Sequence, residues 1–358
     1  MKSYFAILLL ILFALAVATY QLLLRNYFDR IRESPSGKVR KFVKLKAPWF
    51  GGIGIIIVLI LGVVSGFLKF DLHFLTLPQF IIISLLGVFA FITGFLFDLR
   101  RLSEKTLFLF QLLCGVAIAV SNLQIQFFEF DWLNIVITII WVLWLMNAMH
   151  WLNAMNAIAS LVAAFTTVFF MLHLSVTGFA DSISLILLGS LWSSLMAFLF
   201  FNWYPARLGL GRSGSQLVGL LLAVFSILIC WNGQGVTATN GNYHGMAVSA
   251  YVFLLPIIDT ALSWSNRLIS GASLSSKKKD QLAWQLHYFG IRKNLVASTF
   301  SFLTVIHFVM AFYAAYYIGQ WTNILVLVFV GYPIFLFLTF LFIARKNLQR
   351  KKYSYLIK

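Results

Sequence analysis

Long apolar runs separated by short polar stretches make up most of the chain, beginning with the 21 residues from Tyr4 to Leu24. An α-helix needs roughly 20 apolar residues to cross the hydrocarbon layer of a membrane. The pattern therefore predicts an all-α, polytopic integral membrane protein with about 11 transmembrane helices. The further runs lie at 51–68, 78–97, 106–122, 132–149, 157–174, 182–201, 216–231, 245–265, 297–317 and 323–344.

The composition agrees with this pattern, since 61% of the residues are hydrophobic and only 10% are charged. A soluble domain of this length does not need so much apolar surface. Cys114 and Cys230 both lie inside apolar runs, so they indicate neither a disulfide framework nor a metal site. The six histidines show no spacing typical of metal ligands. These residue types alone predict no metal.

Positive charge is concentrated in alternate polar segments. If the N-terminus lies outside, the inner segments hold 25 of the 27 lysines and arginines, leaving only Lys2 and Lys69 outside. Because positive residues stay on the cytoplasmic side, we expect an outside N-terminus and a cytoplasmic C-terminus. The net charge of +17 then reflects the membrane face and needs no nucleic acid partner. The expected layout is a single transmembrane domain 1–344 with cytoplasmic loops 25–50, 98–105, 150–156, 202–215 and 266–296, followed by a basic cytoplasmic tail 345–358.

The segment 201–219 is a polar, glycine-dotted island between two apolar runs, and it contains Arg212. Its glycines, among them Gly211 and Gly214, would let backbone amides approach an anion just where Ser213 leads into a helix. The N-terminus of a helix behind glycines is a common phosphate site. The alternative is that Pro, Gly and Ser only mark the boundary between two helices.

Five of the predicted cytoplasmic segments contain unusual residue choices. They are Pro48–Gly54, Gly94–Lys105, Asn147–Ser160, Phe201–Gly219 and Pro256–Gly290. The most specific elements are the frame Phe201-Asn202…Pro205-Ala206…Gly211-x-x-Gly214-Ser215…Gly219 and the element Pro256-x-x-Asp259-Thr260. In this order the segments resemble the polyprenyl-phosphate N-acetylhexosamine-1-phosphate transferases of glycosyl transferase family 4. That family includes the enzymes that load undecaprenyl phosphate with N-acetylglucosamine phosphate or phospho-N-acetylmuramoyl-pentapeptide.

The resemblance implies a multi-pass protein of a bacterial-type cytoplasmic (inner) membrane that acts in cell-envelope polysaccharide biosynthesis. Its members move a sugar phosphate from a UDP-sugar to a polyprenyl phosphate. Both partners are anionic, so the reaction requires a divalent cation, usually magnesium, held by carboxylates. A carboxylate is also needed to activate the attacking lipid phosphate or to relay its proton.

The chain departs from the family pattern at nearly every reactive position. The family's aspartate pair becomes Phe97-Asp98, and a metal-binding aspartate becomes Arg212. Ala159 and Val162 replace a second aspartate pair, Ser160 and Ala163 replace its glycines, and the histidine cluster aligns with Gln281, Ala283 and Trp284. A guanidinium stays protonated at physiological pH and repels a metal ion. We therefore expect no magnesium site, unless the protein proves active.

Three hypotheses follow from these departures. The favoured one is a pseudoenzyme of the family that retains a binding or assembly role with a polyprenyl-phosphate lipid, a lipid-linked sugar or a UDP-sugar. The second is a divergent but active sugar-1-phosphate transferase that uses Asp98, Asp259 or His287 in rearranged roles. The third is a non-enzymatic scaffold or subunit of a larger membrane complex. A homodimer is compatible with each of them.

The candidate site residues follow from the same comparison. Asp98 and Asp259 would be vestigial catalytic groups, although Asp259 could instead form a structural ion pair with Arg267 or Arg212. Arg212 could bind a phosphate bidentately, or it could simply obey the positive-inside rule. The asparagines among the candidates could contact a nucleotide or join helices through hydrogen bonds. The candidate ligand-binding residues are Arg212, Ser213, Gly214, Asn202, Asn153, Asn156 and Lys105, and His150 is interpreted as a boundary histidine.

Overall fold

The computed structural model describes the backbone of residues 2–32, 50–67, 77–177, 182–233, 243–269, 271, 280–317 and 322–356. Within these ranges the chain forms helices joined by turns and contains no β-strand. It divides into two compact units, Met1–Gly235 and Val236–Lys358.

Within the described ranges the first unit contains eight α-helices, and the last of them continues as the π-helical turn Ile227–Trp231. The helices are α1 Lys2–Arg32, α2 Gly51–Phe67, α3 Leu77–Asp98, α4 Glu104–Val120, α5 Asp131–Leu152, α6 Ile158–Thr177, α7 Ser182–Asn202 and α8 Gly211–Ser226.

Helix α8 lies at the centre of the first unit and packs against α2, α3, α5 and α6. Every residue from Ser213 to Ser226 is buried. Small residues permit the close crossings, because a Cβ atom at Gly94 would lie 2.7 Å from Ser213 Cα, and one at Gly219 would lie 2.7 Å from Met146 Cα. Glycine is required at both positions, since any side chain would collide with backbone.

The second unit contains five α-helices within the described ranges. They are α9 Tyr243–Val252, α10 Leu254–Ile269, α11 Leu282–Phe289, α12 Lys293–Tyr317 and α13 Asn323–Leu356. The axis bends by 72° between α9 and α10. Pro256 has no backbone N–H, so in a continuous helix it would leave a carbonyl of the preceding turn without its hydrogen bond. In the structure it lies in the first turn of α10, where no such N–H is needed. The predicted single run 245–265 is therefore two helices.

The prediction of an all-α protein with several apolar helices of membrane-spanning length is confirmed. Eight helices in the described residues are long and apolar enough to cross a membrane, or nine if the bent pair counts as one span. Helices α2 and α4 coincide with predicted runs but have only 17 residues each. Besides the bent pair, three elements differ from the sequence prediction: α8 begins at Gly211 rather than 216, α11 lies inside the predicted loop 266–296, and α13 continues to Leu356 through most of the predicted tail 345–358.

Candidate functional site: a capped helix start beside an unpartnered guanidinium

The carboxylate of Asp98, at the end of α3, binds the first residues of α8. Its Oδ1 accepts the Arg212 N–H at 2.9 Å, and its Oδ2 accepts the Ser213 N–H at 2.9 Å and the Ser213 hydroxyl at 3.0 Å. The first N–H groups of a helix have no intrahelical partner and lie at the positive end of the helix dipole. Asp98 therefore acts as an internal anion at the helix N-terminus that the sequence indicated as a phosphate site.

The backbone around this helix start is also tied to α2. Gly51 N–H donates to Gly209 O at 3.0 Å, and Gly52 N–H donates to Leu210 O at 3.2 Å. A Cβ at Gly52 would lie 2.5 Å from Gly214 N. The glycines of the segment 201–219 thus serve close packing of backbones, and the predicted ligand residues Ser213 and Gly214 are buried inside it.

Arg212 is the second residue of α8, and two nitrogens of its guanidinium make no hydrogen bond within the described residues. Its guanidinium carbon lies 5.1 Å from the centre of the Phe97 ring, a cation–π contact. Nε and Nη1 are buried and have no hydrogen-bond partner among the described residues. Asp98 and Glu104 interact with its charge electrostatically, but neither forms an ion pair with it within 4 Å in the described residues. A buried charged donor without an acceptor is costly, so this group is a candidate for contacting a ligand.

Two further unpartnered donors belong to the same helices. His150 near the end of α5 has a buried Nδ1, and Gln216 on α8 has a buried Nε2, both without a hydrogen-bond partner in the described part of the chain. Gln216 Oε1 accepts from Gln111 Nε2 at 2.8 Å, and Asn147 Nδ2 donates to Gln111 Oε1 at 2.9 Å. This chain of amides links α4, α5 and α8 and fixes the orientation of Gln216.

The remaining predicted ligand residues are three asparagines and Lys105, and the described contacts do not join them to Arg212. Asn202 is buried and braces the loop after α7: its Oδ1 accepts from Ala157 N–H at 2.6 Å, and its Nδ2 donates to Leu208 O at 2.6 Å. The C-cap of α5 is Asn153, whose backbone N–H donates to Met149 O at 3.2 Å. Asn156 and Lys105 are exposed. Of the three asparagines, only Asn202 has an evident local role, and it is structural.

The second unit holds the other predicted carboxylate. Asp259 is 1% exposed, and its Oδ1 accepts the Leu282 N–H at the start of α11 at 2.6 Å. The ion pair of Arg267 is with Asp280, with Nε and Oδ2 3.4 Å apart. The sequence interpretation offered Arg267 or Arg212 as an ion-pair partner of Asp259, and Arg267 also interacts with Asp259 electrostatically. His287 Nδ1 lies 3.0 Å from Ile291 O, a contact that closes the end of α11.

Comparison with known proteins finds similarity in the part of the chain that contains α3 to α8. Residues 80–230 match glycosyl transferase family 4. The match runs from α3 to α8 and supports the resemblance to this family. Over 257 residues it is 25% identical to the probable undecaprenyl-phosphate N-acetylglucosaminyl 1-phosphate transferase of Bacillus subtilis, covering 68% of the chain and 66% of that protein. Over 106 residues it is 33% identical to a candidate glycosyltransferase of Streptomyces coelicolor, covering 30% of the chain and 24% of that protein.

Both matches span less than two thirds of the relative's own length. The match confirms the resemblance for the three segments that lie within residues 80–230, namely Gly94–Lys105, Asn147–Ser160 and Phe201–Gly219. It leaves the loss of catalysis as a prediction.

Transferases of family 4 typically use magnesium, and the start of α8 is where the family pattern has a metal-binding aspartate. Magnesium prefers several oxygen ligands in an octahedral arrangement. The described residues contain no group of three or more His, Cys, Asp or Glu side chains placed to hold a metal. Asp98 already accepts three internal hydrogen bonds, and the neighbouring Arg212 is cationic. The described donor set does not fit a magnesium ion.

The sequence interpretation missed Gln216, Gln111 and Asn147. A signal for them was available, because each is a polar amide inside an otherwise apolar run, where such groups need hydrogen-bond partners. Gln216 also lies four residues after Arg212, so the two share one face of α8.

Proposed function

We propose that this family 4 protein binds a phosphate-bearing ligand of cell-envelope glycolipid synthesis without performing sugar-phosphate transfer. The observation that supports this best is the set of hydrogen bonds that the Asp98 carboxylate accepts. This carboxylate already accepts three hydrogen bonds from the start of α8, out of about four that a carboxylate can accept, so this group is committed to a structural contact and has little capacity left for a metal ion or a proton.

The charge at the neighbouring position supports the same conclusion. In the family pattern an aspartate stands where this chain has Arg212. A carboxylate there attracts a metal ion, whereas a guanidinium repels it and attracts phosphate directly. The ligand would be a polyprenyl phosphate such as undecaprenyl phosphate, a lipid-linked sugar or a UDP-sugar. Removal of the metal and of the base should reduce the family reaction by many orders of magnitude.

The proposed setting is a bacterial-type cytoplasmic membrane, crossed about 11 times with the N-terminus outside and the C-terminus inside. Helices α2 and α4, although short, and the bent pair α9–α10 would supply the remaining crossings through local thinning or flanking residues. The charge distribution then puts the start of α8 at the cytoplasmic surface, where nucleotide sugars and lipid phosphates are available. A single transmembrane domain over 1–344 with a basic tail 345–358 belongs to this proposal.

Purified protein in nanodiscs containing undecaprenyl phosphate provides the direct test. We would add UDP-N-acetylglucosamine and MgCl2 and measure release of UMP by chromatography, with the Bacillus subtilis relative as a parallel reaction. We expect no UMP above the level of a protein-free nanodisc. Magnesium-dependent release that is abolished by Asp98→Asn would contradict the proposal and establish the divergent active transferase instead.

Mass spectrometry after mild purification tests retained binding. We expect a polyprenyl-phosphate lipid, a lipid-linked sugar or a nucleotide sugar to remain with the protein. A stoichiometric protein partner without any such ligand would indicate the scaffold function.

A further inference from the structure

The first unit contains a set of buried hydrogen-bond donors whose members have no acceptor of their own. They are Arg212 Nε and Nη1, His150 Nδ1 and Gln216 Nε2, and no described residue accepts a hydrogen bond from any of them. We propose that Arg212, His150 and Gln216 form a metal-independent binding site for a phosphate group. This inference rests on the proposed function, because it specifies how a phosphate would be held without magnesium.

The packing of α5 against α8 places these three residues near the same end of the contact between the two helices. The two helices are closest where Gly219 meets Met146, since a Cβ at Gly219 would lie 2.7 Å from Met146 Cα. Gln111 is hydrogen-bonded both to Gln216 on α8 and to Asn147, the residue that follows Met146 on α5. His150 is one helical turn further along α5, and Arg212 is one turn before Gln216 on α8. The charge of Arg212 also acts electrostatically on His150, as expected for side chains at this end of the two helices.

The orientation of the Gln216 amide determines what kind of ligand fits. Its Oε1 is already used by Gln111 Nε2 at 2.8 Å, so only the Nε2 hydrogens remain for a ligand. A guanidinium has donors and no acceptor. His150 donates from Nδ1 in the tautomer that places its hydrogen there. The ligand must therefore supply several acceptor oxygens and negative charge, which is the chemistry of an ionised phosphate.

The same arrangement explains why no metal is required. In a magnesium-dependent site the ion neutralises the phosphate and connects it to carboxylates. Here the guanidinium supplies the positive charge directly, and the Phe97 ring below it limits the directions in which it can turn. Asp98 holds the α8 N-terminus through Oδ1 and Oδ2 and does not pair with the guanidinium in the described residues. Phosphate binding should consequently persist in excess EDTA.

Thermal unfolding of the full chain in dodecylmaltoside, with EDTA throughout, tests the site with inorganic phosphate as the probe. Phosphate should raise the Tm of the unchanged protein in a saturable way. Arg212→Gln removes the charge, and Gln216→Glu keeps the oxygen that accepts from Gln111 while replacing the free donor by a carboxylate. Each should weaken the apparent phosphate affinity at least tenfold, which corresponds to the loss of one charged hydrogen bond. Arg207→Gln, which alters an exposed arginine of the same segment, should leave the affinity unchanged.

A second arm distinguishes a lipid headgroup from a soluble phosphate. Undecaprenyl phosphate in nanodiscs should displace inorganic phosphate if the headgroup is the natural ligand, and should have no effect if the ligand is soluble. The inference is overturned if the unchanged protein shows no phosphate-dependent shift, if the shift requires magnesium, or if Arg212→Gln and Gln216→Glu bind as well as Arg207→Gln. Release of UMP together with normal EDTA-resistant binding would overturn the proposed absence of transfer and leave this site standing.

Discussion

Asp98 in the first unit and Asp259 in the second perform the same structural task. Each accepts backbone N–H groups at the start of another helix, α8 in one case and α11 in the other. Helix N-termini favour a nearby negative charge, so a carboxylate at either position stabilises the fold without any ligand. Retention of an acidic residue in this chain is therefore not by itself a sign of catalysis.

The two units differ in whether an arginine near this carboxylate has an ion-pair partner within the described residues. In the second unit Arg267 forms an ion pair with Asp280, and its side chain is only 5% exposed. In the first unit Arg212 Nε and Nη1 have no partner among the described residues. An arginine paired inside the protein contributes to stability, whereas one without an internal acceptor contributes to recognition. The comparison predicts opposite consequences for removing each of them.

The largest expected effect is the difference between Arg267→Met and Arg212→Met. Removing Arg267 leaves Asp280, which is 17% exposed, without its ion-pair partner, so we expect a loss of about 3 kcal/mol in the free energy of unfolding. Removing Arg212 breaks no side-chain hydrogen bond in the described structure and relieves a buried charge that lacks an acceptor, so stability should not fall. Unfolding by SDS titration in dodecylmaltoside measures both values. Equal losses would show that Arg212 also has a structural role.

Asp98→Ala should be the next most damaging change. It removes an acceptor from two backbone N–H groups and one hydroxyl at the start of α8, and we expect a loss of about 2 kcal/mol. The control is Asp29→Ala, which removes an exposed ion pair of 3.8 Å within α1 and should have no measurable effect. The same SDS titration applies. If the two variants were equally stable, Asp98 would not be the cap of α8.

A third substitution tests the close packing of α3 against the start of α8, which positions Asp98 as the cap. Gly94→Ala would bring a methyl group within 2.7 Å of Ser213 Cα and 2.8 Å of Arg212 O, and should cost between about 1 and 2 kcal/mol. Gly331→Ala is the matched control, because nothing lies within 4 Å of its Cβ position and alanine is the better helix former. Thermal unfolding of the two variants side by side should therefore give shifts of opposite sign. A tolerated Gly94→Ala would mean that α3 and α8 can separate.

Asp259→Asn should have the smallest effect. The amide oxygen can still accept the Leu282 N–H, and only the additional strength of a charged acceptor is lost, which is worth about 1 kcal/mol or less. Its free energy of unfolding should remain above that of Asp98→Ala. The reverse order would make the second unit the one whose helix start depends more strongly on its carboxylate.

The apolar runs were sufficient to predict the class of fold, because a membrane requires long helices whose backbone hydrogen bonds are satisfied internally. They could not predict the break at Phe253 or the short helix α11, which depend on Pro256 and on a cap 23 residues away. Nor could they predict that Asp98 binds Ser213, since these residues are 115 positions apart and only the packing of α3 on α8 brings them together.

The candidate site was predicted in part. The sequence identified Arg212 as the distinctive residue, and it left the glycines of 201–219 as either an anion site or a helix boundary. In the structure Gly214 packs closely against Gly52. The sequence also left Asn202 as either a nucleotide contact or a hydrogen-bonding link between helices, and in the structure both ends of its amide form structural hydrogen bonds. Local composition shows which residues are unusual, but only tertiary contacts show which of their polar atoms remain available.

The two hydrogen bonds from the start of α2 to the loop before α8 have a thermodynamic consequence. With Gly51 and Gly52 bound to loop carbonyls and the α8 amides bound to Asp98, this face is already ordered before any ligand arrives. A ligand that binds here gains affinity without ordering the backbone, so little conformational entropy is lost. Calorimetry of phosphate binding should accordingly give a heat-capacity change close to zero, unlike the large negative value that accompanies coupled folding.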